Sequence, residues 1–140
     1  MRVLIRGAGD IATGIALRLY RARMQVIMTD LPKPTAIRRT VCFSQAIVHG
    51  EAEVEGVRAI FAESIAAVER IADQGHIPVL ADPECACRAE LRPDALVDAI
   101  LAKRNLGTRI TDAPIVVGIG PGFTAGKDCH AVVETMRGHT

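Results

Sequence analysis

The residues Gly7-Ala8-Gly9-Asp10-Ile11-Ala12 match the form G-x-G-x-x-G/A. In a strand-to-helix turn each position has a task. Gly7 would permit the tight turn out of the strand, and Gly9 would let a pyrophosphate approach without meeting a Cβ. Ala12, with Gly14, would keep the helix close to the sheet. The helix start at Ile11 would offer N–H donors and partial positive charge to phosphate. Asp30 lies 21 residues after Gly9, where a carboxylate can accept hydrogen bonds from an adenosine ribose. The alternative is a close turn and nothing more. Asp10 bears on that choice, because a carboxylate there caps a helix but repels phosphate if it points into the loop. Arg38 and Arg39 follow Asp30 at a distance that could reach a 2′-phosphate, although a solvated helix face is the commoner role for such a pair.

A second glycine loop spans residues 118–128, GIGPGFTAGKD. It resembles a P-loop but fails the count. The position five before Gly126 is Pro121, and Asp128 follows Lys127 where Ser or Thr is required. The loop still offers glycine N–H groups, with Thr124 and Lys127 beside them, as a place for an anion. Gly120, Gly122, Thr124, Gly126 and Lys127 are therefore a second candidate set, with a structural turn as the equal alternative.

The elements that must position these loops alternate. Residues 3–5, 26–28, 77–81, 95–101 and 115–119 are short apolar or β-branched runs that predict buried strands. The helix after Asp10 has Ile11, Ile15 and Leu19, with Ala12 and Ala16, on one stripe, and Arg18, Arg21 and Arg23 toward its C-terminal end. Residues 63–74 predict a second helix, with Ile65, Val68 and Ala72 inward and Gly75 at C′. Residues 31–34 hold two prolines and predict a loop, and 35–44 a short helix. Residues 46–60 predict two short strands, and 130–136 a terminal helix. The sum is a single Rossmann-like α/β domain, a mainly parallel sheet with helices on both faces. Both glycine loops would then start at carboxyl ends of strands, where such sheets bind ligands.

Composition narrows the function. At 140 residues and 49% hydrophobic content the chain suits one folded core. Aromatic residues at 3% argue against a stacking platform for single-stranded nucleic acid, and a net charge of +1 against a field that recruits nucleic acid or anionic membrane. The longest uncharged run, 113–126, is too short and too rich in Gly and Pro to span a membrane. No signal peptide is expected, and four cysteines without framework spacing fit a reducing cytoplasm.

Other candidates are weaker. Cys85 and Cys87 form C-x-C, and Cys129 sits beside His130, but zinc prefers C-x2–4-C, so no metal site is expected. Asp82, Asp98 and Asp112 fall near strand ends, where an acid or base could face a crevice and where turn or cap roles are commoner. His49, His76 and His139 read as loop or surface residues. No nucleophile–base constellation is visible, so catalytic residues are not assigned.

The blocks VLIRGAGDIATGIALRLYRA, VIMTDLPKPTAIRRTV, IPVLADP, LRPDALVDAILAKRNLGT and DAPIVVGIGPGFTAGKDCHAVVETMRGH resemble the selenium-dependent molybdenum hydroxylase system proteins of the YqeB type. That is a Rossmann-type accessory family distantly similar to xanthine dehydrogenase accessory proteins. The resemblance covers nearly the whole chain. It implies a role in maturation of molybdenum hydroxylases, with the client hydroxylase as partner and a dinucleotide or nucleotide-bearing molybdenum cofactor as ligand. It also implies that the chain is truncated after MRGH and that DPECACRAEL and Cys42 depart from the family pattern. A small NAD(P)-dependent oxidoreductase and an NAD(H)-sensing regulatory domain are the alternatives. Homo-oligomerisation is an open possibility.

Overall fold

The computed structural model describes residues 1–30, 42–102 and 104–134. Eight strands form one sheet: β1 (Arg2–Arg6), β2 (Gln25–Asp30), β3 (Glu51–Val54), β4 (Val57–Ala62), β5 (Ile77–Ala81), β6 (Ala95–Asp98), β7 (Ile115–Ile119) and β8 (Ala131–Val133). Four helices intervene: α1 (Asp10–Arg21), α2 (Gln45–His49), α3 (Ile65–Asp73) and α4 (Arg88–Leu91). The strand order is β3-β4-β5-β2-β1-β6-β7-β8, and every pairing is parallel except the β3–β4 hairpin. This is a Rossmann-like α/β fold. The chain moves outward in one direction from β1 to β2, then returns to the other side of β1 with β6. The crevice above β1 and β6 is therefore the topological switch point.

Alternation along the parallel strands sorts the core into two layers. Val3, Ile5, Val26, Met28, Val79 and Val97 face α1 and α2 and pack with Ala12, Ala16, Phe43 and Ala46. Leu4, Ile27, Leu80, Leu96 and Val116 face the other way, onto Val68 and Ile71 of α3 and Leu91 of α4. Strands buried on both faces need apolar residues at every position, which is why these runs show no polar alternation. The α3 helix begins at Ser64, whose hydroxyl accepts from the Ala67 N–H at 3.2 Å, and ends with Gly75 at C′ in a left-handed conformation, φ +84°.

Several expectations are corrected. Residues 130–136 are not helical through the described part: Ala131–Val133 is β8, paired with β7. Three residues cannot sustain a helical turn against the available ladder, and adjacent Val132 and Val133 favour extended backbone. Residues 46–60 hold one short helix, α2, before the β3–β4 hairpin, rather than two strands alone. Of the helix expected over 35–44, residues 35–41 lie outside the described residues, as do the 31–34 loop, Arg38 and Arg39; Phe43 and Ser44 form a turn. The strand expected over 95–101 stops at Asp98.

In α1 the N-cap is Gly9 and Asp10 is the first helical residue, so Asp10 does not cap it. Ile11 is exposed, and the buried face runs through Ala12, Thr13, Ala16 and Leu17. Gly14 is exposed with nothing within 4 Å of the place its Cβ would occupy, so it has no part in helix–sheet packing. A glycine in that setting only adds backbone entropy to the unfolded chain. Gly14→Ala is expected to raise stability by about 0.8–1 kcal/mol, read as a higher urea midpoint at unchanged slope.

Candidate functional site

The first glycine loop leaves β1 at Arg6 and enters α1 at Asp10. Gly7 has φ +113°, and a Cβ there would lie 2.9 Å from the Ala99 carbonyl oxygen, so both conformation and space demand glycine. Its N–H donates to the Thr29 carbonyl at 2.7 Å. The Ala8 N–H donates to Asp30 Oδ2 at 3.2 Å. The structure thus brings the β2 carboxylate directly onto the first loop. Ala12 is fully buried beneath that loop. Thr13, also buried, accepts from the Phe43 N–H at 3.0 Å, while the Ser44 N–H donates to the Ala8 carbonyl at 2.8 Å. Residues 42–44 therefore strap the loop from its α1 side.

A cleft of about 370 Å³ opens at this edge. Gly7, Arg6, Thr29 and Asp30 line one side, Pro83 and Glu84 another, and Ile100 with Leu106 supply an apolar wall. That size and mixture of apolar wall and few polar groups suit a small-molecule pocket.

The cleft's floor continues into a buried polar row. Thr29, Arg6 and Asp98 are register partners on adjacent strands and share the α3 face. The Arg6 side chain is 7% exposed and that of Asp98 is 3% exposed. Arg6 Nη1 lies 3.8 Å from Asp98 Oδ2 and donates to Thr108 Oγ1 at 3.1 Å, while the Thr108 hydroxyl donates to the same Asp98 oxygen at 2.6 Å. Arg6 Nε and Nη2 both donate to the Pro83 carbonyl, at 3.2 and 3.1 Å. Asp98 Oδ1 accepts from the Ile100 N–H at 3.2 Å. One guanidinium on β1 therefore ties two loops together at the switch point, the one after β5 through Pro83 and the one after β6 through Thr108. Thr29 Oγ1 is fully buried, and no oxygen or nitrogen of the described residues hydrogen-bonds it.

Sequence reasoning missed Arg6 and Thr29. An arginine closing an otherwise apolar strand, two positions after a leucine on the same face, was the available signal. Asp98 was recognised as a strand-end acid, and it is the buried partner of Arg6.

The other strand-end acids are engaged in turns. Asp82 accepts from the N–H groups of Ala86 and Cys87, and Asp112 pairs with Arg88 Nε at 3.2 Å. The Asp82 turn places Cys85, at φ +57°, and Cys87 in the layer beneath the cleft. Their thiols interact. Hydrogen bonding with Cys87, aided by Thr29 and Arg6, lowers the Cys85 pKa against the opposing effect of burial, and the same contact and burial raise that of Cys87. Among the described residues no group of three or more His, Cys, Asp or Glu is placed to hold a metal ion, and no helix is long and apolar enough to cross a membrane.

The second glycine loop starts at the same sheet edge, since Gly118 is the register partner of Asp98, but its candidate residues do not line the cleft. The Phe123 ring occupies the space a Gly118 Cβ would need, and Gly120 and Gly122 pack against Leu101 and the Arg104 backbone. Five of this loop's N–H groups are engaged within the sheet edge and the loop. Those of Gly120 and Gly126 donate to the Val133 and Cys129 carbonyls, and those of Lys127 and Asp128 to the Thr124 carbonyl. The Thr124 N–H donates to Asp128 Oδ2, and Thr124, Gly126 and Lys127 are exposed.

No protein-family model and no solved structure matches the chain. It is 59% identical to the uncharacterized protein YqeB of Escherichia coli (strain K12) over 137 residues, which is 98% of this chain and 25% of that relative. The chain is therefore similar, along nearly all of its own length, to about a quarter of a YqeB-type protein.

Proposed function

We propose that this domain binds a nucleotide-bearing ligand at the switch-point cleft and serves as an accessory module in the maturation of molybdenum hydroxylases. The observation that supports the binding half is the meeting of Asp30 with the first glycine loop beside a cleft of ligand size. A carboxylate at the end of β2 suits ribose hydroxyls, and the apolar wall of Ile100 and Leu106 suits a flat heterocycle. The ligand is NAD(P) or a molybdenum cofactor carrying a nucleotide, which share this nucleotide part. The maturation half is proposed from the resemblance of the chain's sequence blocks to molybdenum hydroxylase accessory proteins of the YqeB type.

The test is calorimetric titration with NAD⁺, NADH, NADPH and inorganic phosphate. Micromolar binding of at least one dinucleotide is expected, weakened by roughly tenfold or more in Asp30→Ala, the scale of a hydrogen bond to a charged group. Binding of none of them overturns the dinucleotide form of the reading.

A further inference from the structure

One end of the sheet is covered on one face and open on the other. On β7 the fully buried Val116 points to the α3 face, whereas Ile115, on the α1 face, is 43% exposed. Register places it there: Ile115 pairs with Ala95, and Ala95 with Val3 beneath α1. Exposure grows away from the carboxyl end of the strand. Ile119 is buried, with Leu101 against the following Gly120, Val117 is half-buried and Ile115 is open. On β8, Ala131 and Val133, the register partners of Val117 and Ile119, are exposed as well, Val133 at 49%.

The topology explains the asymmetry. Crossovers between parallel strands are right-handed, so the direction of a step along the sheet selects the face its connection crosses. The step from β1 to β2 carries α1, and the opposite step from β4 to β5 carries α3 on the other face. The steps from β6 to β7 and from β7 to β8 run the same way as β4 to β5. Their connections therefore cross the α3 face, where Thr108 bonds Asp98 and Ala113, Phe123 and Cys129 pack. On the α1 face, α1 packs on β1 and β2, and α2 on β3, β4 and β5. Among the described residues the broad helix contacts of this face end there. Yet β7 reads IVVGI, apolar at every position, the composition of a parallel strand that is covered on both sides.

The α1 helix adds a wall to this open floor. Thr13, bonded by the Phe43 N–H, marks the flank of α1 turned toward α2. Ile11, Ile15 and Leu19, spaced at i, i+4 and i+8, lie on the other flank, toward β6, and none of them is buried. A parallel sheet for a floor and an apolar helix flank for a wall form the groove in which a layered α/β fold seats another helix.

We propose that this groove seats an amphipathic helix supplied by the part of a YqeB-type protein that lies outside the matched segment. The 137 matched residues are 25% of the Escherichia coli relative, so three quarters of such a protein is available to cover the face. At 59% identity the relative builds the same sheet with the same right-handed steps, and it meets the same need for cover. This inference goes beyond the ligand reading and does not depend on it.

The experiment compares this chain with the full-length relative by hydrogen exchange read by mass spectrometry. Peptides that cover β7 and β8 are expected to exchange about tenfold or more slowly in the relative, while those that cover α3 and β5 exchange alike in both. On this chain Ile115→Lys and Val133→Lys are expected to leave the melting temperature unchanged, because both side chains already face water. Lysine at the position of the relative aligned with Ile115 is expected to lower its melting temperature and to restore fast exchange in β7 and β8. If that variant does not fold, the comparison of the two unsubstituted proteins still decides. Equal exchange of β7 and β8 in both proteins overturns the proposal. So does a dimer of this chain in sedimentation that Val133→Lys dissolves, since the groove would then belong to a second copy.

Discussion

Arg6→Ala is expected to lower the free energy of unfolding by about 3–5 kcal/mol. The side chains of Arg6 and Asp98 are almost wholly buried. Removing the guanidinium leaves a carboxylate in the interior with, among the described residues, only the Thr108 hydroxyl and the Ile100 N–H hydrogen-bonded to it. It also takes both donors from the Pro83 carbonyl. A domain of this size has roughly 5–15 kcal/mol in all, so the variant would sit near the edge of folding at room temperature. Urea titration followed by circular dichroism reads the change as a fall in midpoint.

The control is the double variant Arg6→Met, Asp98→Leu. A buried ion pair exchanged for apolar residues of similar volume is often neutral or better, so most of the lost stability should return. Recovery would identify the cost as uncompensated charge. A double variant as unstable as Arg6→Ala would show instead that the tie through Pro83 and Thr108 sets the stability of this edge.

The strands and α3 were legible because their signals are local. The parallel strands β1, β2, β5, β6 and β7 each carry a continuous apolar run, and α3 has its Ser64 cap, its stripe and its terminal Gly75. Parallel β8 was not legible. Three residues are too few for periodicity to separate strand from helix, and the ladder offered by β7 decides between them. The site divides in the same way. Gly7 and Asp30 could be read because motif spacing encodes a turn and a strand end. Thr29 and Arg6 could not, because their pairing is a matter of strand register, which relates residues 23 positions apart only after β1 and β2 align. The second glycine loop shows the converse. Its glycines suggested open N–H groups, but Gly122 is required by the Arg104 backbone and Gly118 by the Phe123 ring. Small residues allow close approach, and what approaches here is the protein itself.

Gly7→Ala carries the other large expected effect, and it isolates the turn from the charge. Two penalties coincide at this position. An L-residue at φ +113° lies outside the allowed regions, at a cost of about 1–3 kcal/mol. The new methyl would also press on the Ala99 carbonyl oxygen at 2.9 Å and its carbon at 3.1 Å, which are backbone atoms that cannot rotate away. Overpacking of that kind adds about 1–3 kcal/mol, for a sum of about 2–6 kcal/mol. Gly56→Ala separates the two contributions. Gly56 has φ +82° with nothing near its Cβ position, so only the conformational part should appear there. If Gly7→Ala costs no more than Gly56→Ala, the Ala99 segment yields, and the cleft wall that leads to Ile100 is softer than the close contact implies. If it costs more by the overpacking amount, β1 and β6 hold their loops rigidly at the switch point. A rigid pair of loops is the condition under which a small cleft can position a ligand.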